Sequence, residues 1–101
     1  MSIKQTVKTA PWDAADFLDS PEAIAAYLDA AVEEAQDDPG FLLTALETVA
    51  RAGNFSELAR EVGITRKGLY KALSEDGNPS FATIWTLLNK LGVRIEFHAV
   101  A

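Results

Sequence analysis

The chain has 101 residues, of which 49% are apolar, 24% charged and 9% aromatic, a composition typical of one folded domain and not of a disordered segment. It contains no cysteine, which excludes disulfides and thiolate-bound metal. No run approaches the ~18 apolar residues of a membrane span, and no apolar core of secretory length follows the first eight residues. We therefore expect a cytoplasmic protein.

The net charge of −6 is unevenly distributed along the chain. Residues 1–50 carry two lysines against ten carboxylates, whereas residues 51–101 carry seven basic and five acidic side chains. Between Arg60 and Lys71 there are four cations and one anion. The net charge argues against a nucleic-acid partner, because phosphate binding needs basic side chains. The cluster between Arg60 and Lys71 nevertheless supplies basic side chains.

Two amphipathic helices are predicted in the first half. Residues 1–11 show no periodicity and are expected to be a flexible arm, and residues 13–18 a short helical turn. Ser20 is predicted to cap the first long helix, with Pro21 at its first position. Apolar residues then follow at helical spacing and form one stripe, which consists of Ile24, Tyr27, Leu28, Ala31 and Val32.

A second helix is predicted to begin at the Asp-Asp-Pro-Gly sequence of residues 37–40 and to end near Gly53. Gly53 is expected to take a left-handed C-cap conformation. The residues predicted to face inward are Leu42, Ala45, Leu46 and Val49.

Residues 55–72 have the pattern of a helix-turn-helix. Ser56 is predicted to cap a short helix through Val62, and Thr65 to cap the next, from Arg66 to about residue 73. Such a unit needs a tight turn and closely packed helices; Gly63 tolerates positive φ in the turn, and Ala59 is small where the helices meet. The apolar packing positions are Leu58, Val62, Ile64, Leu69 and Ala72. A purely structural αα-hairpin shares this pattern.

The exposed face of the second helix of this unit is expected to contact DNA. Arg66 and Lys67 have donors that suit guanine O6 and N7, and Tyr70 and Lys71 suit bases or phosphate. The helix N-termini add Thr65 and Ser56, the latter as a phosphate contact. A solvated helix face is the alternative, against which stands the clustering of these cations in an acidic chain.

A last helix is predicted after the polar loop of residues 74–79, capped by Ser80 and ended by Gly92. Its apolar positions, expected in the core, are Phe81, Ile84, Trp85, Leu88 and Leu91.

Residues 93–98 alternate as a strand does, with Val93, Ile95 and Phe97 as the apolar set. An isolated strand leaves backbone groups unpaired, so we expect it to pair with the same strand of a second copy, setting two recognition helices ~34 Å apart. Strand addition by another protein is the alternative.

The predicted architecture is thus an all-α, five-helix domain over residues 12–101, with a helix-turn-helix core at 54–91 and a dimerising β-strand at 93–98. No enzyme, metal or cofactor site is expected. His98 is the single histidine, and the carboxylates of residues 33–38 have no nucleophile, histidine or glycine-rich loop beside them, so they are interpreted as a solvated helix end.

Several segments together resemble the addiction-module antidote family, whose members carry an Xre-like (lambda-repressor-like) helix-turn-helix. They are Pro11-Trp12-Asp13, Ala-Ala-Tyr-Leu at 25–28, Leu-Ala-Arg-Glu-Val-Gly at 58–63, Tyr-Lys-Ala-Leu-Ser at 70–74 and Gly-Asn-Pro-Ser-Phe at 77–81. The resemblance implies an antitoxin that neutralises a RelE/ParE-like toxin encoded beside it and represses its own operon as a dimer bound to an inverted repeat.

The resemblance further implies that Asn78 and Ser80 lie near the DNA backbone, although capping is the main role expected of Ser80. The acidic first half suits a basic toxin by charge complementarity. Two other functions share the same sequence features. One is a stand-alone prophage-type transcriptional regulator without a toxin partner, and the other is an interaction module whose helix-turn-helix binds only protein.

Overall fold

The computed structural model describes residues 17–100 and shows an all-α fold of five helices, as predicted. They are α1 (Pro21–Ala35), α2 (Pro39–Ala52), α3 (Phe55–Val62), α4 (Arg66–Ala72) and α5 (Phe81–Leu91). The arm predicted for residues 1–11 and most of the turn predicted for 13–18 lie outside the described residues. In the described part, no helix is both long and apolar enough to cross a membrane.

Helices α1 and α2 begin at the caps that their sequences provide. Ser20 Oγ accepts a hydrogen bond from the Ala23 N–H at 3.1 Å, with Pro21 in the first turn, as predicted. Asp38 caps α2 by accepting from the Gly40 N–H at 3.1 Å. Because so short a loop joins them, α1 and α2 pack side by side. Val32, a member of the apolar stripe of α1, is 54% exposed, so the stripe is only partly covered.

The end of α2 differs from the prediction. Gly53 has φ −102°, and its N–H donates to the Ala50 carbonyl at 3.3 Å, so the left-handed C-cap predicted for it is absent. The next residue, Asn54, is already the extended N-cap of α3. The chain therefore passes from one helix to the next without a left-handed residue.

One apolar core joins all five helices. It includes buried residues from each helix, namely Leu18 before α1, Ile24, Leu46, Val49, Ala50, Phe55, Leu58, Ala59, Leu69, Leu73 just after α4, Leu87 and Leu88. Among the described residues no polar or charged side chain is buried. The short helices α3 and α4 are therefore held by the same core as the long helices.

Helix α5 buries a different arc from the one predicted. Leu87 and Leu88 are its buried residues, whereas Phe81 and Trp85 are 64% and 51% exposed, with ring centroids 6.1 Å apart. The prediction that both aromatic residues lie in the core is wrong. The apolar arc of α5 is wider than the surface it packs on, and these two residues, one turn apart, occupy its outer flank.

The strand predicted over residues 93–98 is absent from the described chain. Val93 and Ile95 pack half-buried against the core, Arg94 and Glu96 are exposed, and Phe97 is 90% exposed. Burial thus alternates with period two as far as Ile95. A strand is stabilised by hydrogen bonds to a neighbouring strand, and residues 17–100 of one copy provide no such neighbour.

Candidate nucleic-acid interface

The N-cap of α3 lies two residues earlier than predicted. The Asn54 side chain, and not that of Ser56, accepts the hydrogen bond from the Glu57 N–H, at 3.0 Å. Asn54 and Glu57 stand at the spacing of a capping box, and asparagine caps helices as well as serine does. The sequence therefore contained the signal. Ser56 is the second residue of α3 and is exposed.

The turn between α3 and α4 has the predicted geometry. Gly63 has φ 84°, and its N–H donates to the Arg60 carbonyl at 3.1 Å, while the Ile64 N–H donates to the Ala59 carbonyl at 3.0 Å. These two bonds are a Schellman motif, which requires a left-handed residue at Gly63. Thr65 then caps α4 by accepting from the Gly68 N–H at 2.9 Å, as predicted.

Helices α3 and α4 pack on each other through buried side chains, of which Ala59 is small enough to let the helices approach closely. Ala59 is 1% exposed, Leu58 8% and Leu69 0%. Of the other predicted packing positions, Val62 and Ala72 are half-buried. Ile64 is 36% exposed and belongs to the turn surface. The core thus fixes which face of α4 remains outside.

The exposed face of α4 brings most of the predicted site residues together. Thr65, Arg66, Lys67 and Lys71 are exposed and Tyr70 is half-buried. Arg66 and Lys67 lie one turn before Tyr70 and Lys71, so the four share one side of the helix. The opposite side is anchored by Leu69. Three cations and one tyrosine therefore project from a short helix whose opposite side is buried in the core.

Arg66 is held over an aromatic pair that the sequence did not suggest. The rings of Phe55 and Tyr70 stack with their centroids 3.9 Å apart at 21°. The Arg66 Cζ lies 5.4 Å from the Tyr70 centroid and 6.0 Å from that of Phe55. Guanidinium groups are attracted to ring faces at such distances. Tyr70 therefore positions Arg66, a role in addition to the DNA contact predicted for it.

A shallow depression of about 590 Å³ joins this pair to the start of α3 and the end of α2. It is lined by Arg51, Gly53, Asn54, Phe55, Ser56, Arg66 and Tyr70. The structure thus brings Ser56 beside Arg66 and Tyr70, although Ser56 is not the cap. Sequence reasoning missed Arg51, because it precedes the segment predicted to form the helix-turn-helix. Its Nε donates to Glu47 Oε2 at 2.8 Å.

The four cations of the predicted cluster differ from the other cations of the described chain in their ion pairs. Arg51, Lys90 and Arg94 contact carboxylates at 2.8, 3.1 and 3.2 Å. Within residues 17–100, no ion pair involves the four cations of the predicted cluster, Arg60, Arg66, Lys67 and Lys71. Their charges are therefore available to an anionic partner.

The loop before α5 positions Asn78 and Ser80 apart from the depression. Ser80 caps α5 by accepting from the Thr83 N–H at 3.0 Å, as predicted. A Cβ at Gly77 would collide with the Ala72 carbonyl oxygen, so the loop returns along the end of α4 only with glycine there. Asn78 and Ser80 are exposed, but neither lines the depression beside Arg66.

Comparison with known proteins gives two matches. The sequence model of a family described as "Probable addiction module antidote protein" matches residues 8–99. An uncharacterized protein of Haemophilus influenzae (strain ATCC 51907 / DSM 11121 / KW20 / Rd) is 44% identical over 85 residues, which are 84% of this chain and 86% of that protein. No solved structure matches.

Proposed function

The chain belongs to the family of probable addiction module antidote proteins, and we propose from this that it is a binding protein and not an enzyme: the antitoxin of a type II toxin–antitoxin module. In this proposal it neutralises a RelE/ParE-like toxin and represses its own operon by sequence-specific DNA binding. The unit of α3, the turn and α4 is the Xre-like helix-turn-helix, and α4 is its recognition helix.

One observation carries the DNA-binding part of the proposal. Arg66, Lys67 and Lys71 share an exposed face of α4 and have no ion pair within the described residues, although the whole chain has a net charge of −6. In an acidic protein, solvent-exposed cations have carboxylates available as partners. A face that keeps its cations unpaired suits the phosphates and base edges of DNA.

The site residues then have distinct roles. Arg66, oriented by Phe55 and Tyr70, reads guanine with Lys67, since both present donors to O6 and N7. Lys71 contacts a base or a phosphate.

The remaining site residues are assigned to the DNA backbone. Ser56 lies in the first turn of α3 and Thr65 is the N-cap of α4, and N–H groups at helix N-termini favour phosphate. Asn78 and Ser80 meet the DNA backbone farther along.

The operator-bound form is a homodimer in this proposal, with Val93, Ile95 and Phe97 paired to the same residues of a second copy. The 90% exposure of Phe97 supports an apolar contact there. The exposed pair of Phe81 and Trp85 is a competing patch. Sedimentation equilibrium decides between them: Phe97→Ala is expected to weaken the dimer, and an effect of Trp85→Ala alone would move the interface to α5.

A titration by fluorescence anisotropy tests the proposal. The duplex comes from upstream of the protein's own gene, and a scrambled duplex of equal length and composition is the control. We expect tight binding that favours the native sequence and weakens steeply with salt, because each phosphate contact releases counterions. Equal, feeble binding to both duplexes would contradict DNA-binding repression and favour the pure interaction module. Specific binding without a toxic neighbouring gene would favour the stand-alone regulator.

A further inference from the structure

A groove runs between α1 and α2, on elements that the DNA-binding proposal does not use. Its volume is about 440 Å³. One side is formed by Tyr27, Ala30, Ala31 and Glu34 of α1, and the other by Phe41, Thr44, Ala45, Glu47 and Thr48 of α2. On α1 these positions recur at helical spacing, so they form one continuous face.

The lining of the groove suits apolar side chains. Ala30, Ala31 and Ala45 leave space between the helices, and the rings of Tyr27 and Phe41 supply apolar surface. Phe41 is 41% exposed although it is a large aromatic residue. Small residues beside partly exposed aromatic rings form a surface that an inserted side chain can fill.

The charged side chains that line the groove are carboxylates, and the cation beside them, Arg51, is paired with Glu47 at 2.8 Å. Every charged side chain in residues 17–50 is a carboxylate, and these are Asp19, Glu22, Asp29, Glu33, Glu34, Asp37, Asp38 and Glu47. Glu34 and Glu47 belong to the groove itself. Glu34 is exposed and has no ion pair with any residue of the described chain. An occupant with positive charge therefore complements the groove.

We propose that this α1–α2 groove is the toxin-binding surface, and that it takes a cationic amphipathic segment of the toxin. The inference rests on the antitoxin function proposed above and adds the location and chemistry of the contact. Apolar side chains of the segment pack on Phe41, Tyr27 and the alanines, and its Lys or Arg side chains meet Glu34 and Glu47, the carboxylates that line the groove.

The same charges argue against the other occupants of the groove. A second copy placed here about a twofold axis would bring the carboxylates Glu34 and Glu47 of the two copies together, and like charges across an interface are unfavourable. DNA is repelled for the same reason. The groove residues lie on α1 and α2 and the recognition residues on α4, so one chain can bind toxin and operator together.

Two matched pairs of variants test the groove, with the purified product of the neighbouring gene as the probe. Ala30→Trp fills the groove, and its control Ala26→Trp makes the same change at an exposed position of α1 outside it. Glu34→Lys reverses a groove charge, and Glu33→Lys reverses its exposed neighbour outside the groove. Circular dichroism and urea unfolding verify that all four variants fold.

The binding constant is measured by calorimetry, and rescue of growth by co-expression gives a second readout. We expect Ala30→Trp to weaken toxin binding about tenfold or more and Glu34→Lys about threefold to tenfold, while both controls bind as the wild type does. Wild-type binding with unimpaired Ala30→Trp and Glu34→Lys would overturn the groove and leave the antitoxin function standing. A wild-type chain that neither binds nor neutralises the probe would overturn both.

Discussion

The two halves of the described chain differ in charge and in the way their helices are stabilised. Residues 17–50 contain the 15- and 14-residue helices α1 and α2 and only negative charges. Helices α3 and α4 have 8 and 7 residues and carry the basic cluster. Helices so short are unstable alone. The basic half therefore depends on its caps, its turn and a few buried side chains.

The comparison also shows why net charge is a poor guide to partners here. A net charge of −6 describes neither surface, because residues 17–50 carry only carboxylates, whereas the unpaired cations Arg66, Lys67 and Lys71 lie on α4. Two surfaces of opposite sign suit two partners of opposite sign. In the proposed function these partners are a cationic toxin and an anionic operator, and neither competes with the other for the same residues.

Truncating the shared core tests whether the halves are one folding unit. Leu69 is fully buried on α4 and belongs to the core that includes α2 and α5. Leu69→Ala is expected to lower the free energy of unfolding by about 2–5 kcal/mol in urea denaturation. Ile64→Ala, at the 36% exposed turn position, is the control and is expected to cost about 1 kcal/mol or less. Equal costs for the two would contradict the packing described.

The turn provides a second comparison. Gly63 has φ 84°, whereas Gly53 has φ −102° and a Cβ added there would meet nothing nearer than 4.0 Å. Gly63→Ala is expected to cost about 1–2 kcal/mol because an L-residue is strained in the left-handed region. Gly53→Ala is expected to be neutral or to stabilise by up to ~1 kcal/mol. Thermal unfolding that ranks the two in the opposite order would refute the turn geometry.

Substitutions at the N-cap of α3 are expected to have a smaller effect on the free energy of unfolding. Asn54→Ala removes the acceptor of the Glu57 N–H and is expected to cost about 1 kcal/mol of unfolding free energy. Ser56→Ala changes an exposed residue inside the helix, where alanine is the better helix former, so no loss is expected. A loss at Ser56 and none at Asn54 would restore the cap predicted from sequence.

The smallest expected effect sharpens the contrast between paired and unpaired cations. Lys71→Gln is expected to reduce the slope of log K for operator binding against log salt by about 0.9, the loss of one phosphate contact. Lys90→Gln, whose lysine pairs with Glu61 at 3.1 Å, should leave the slope unchanged. If both variants change the slope equally, the ion pairs do not distinguish the cations proposed to contact DNA.

The sequence predicted the features that depend on local chemistry. Ser20, Thr65 and Ser80 cap their helices, and Gly63 and Gly92 end theirs in the left-handed conformation, because capping and positive φ are determined by one residue and its near neighbours. The cap of α3 was predicted at Ser56 but lies at Asn54. Both residue types cap helices well, so their local chemistry does not distinguish them.

The wrong predictions depend on neighbours that periodicity does not identify. A helical stripe shows which residues share a face, but tertiary packing decides which arc of a wide face is covered. On α1, Val32 lies outside the covered arc. On α5, Phe81 and Trp85 lie outside the covered arc and Leu87 lies inside it. The Phe55–Tyr70 pair under Arg66 joins two helices, and no spacing within one helix predicts such a contact.

The central claim is that operator and toxin bind different surfaces of one chain. Arg66→Glu combined with Lys67→Glu tests it most directly, with the affinities for both partners measured on the same preparation. We expect operator affinity to fall about a hundredfold or more, since two donor side chains become repulsive. Toxin affinity is expected to stay within about twofold of the wild type, as for distant independent sites. Unchanged operator binding, or a parallel loss of both affinities, would contradict the claim.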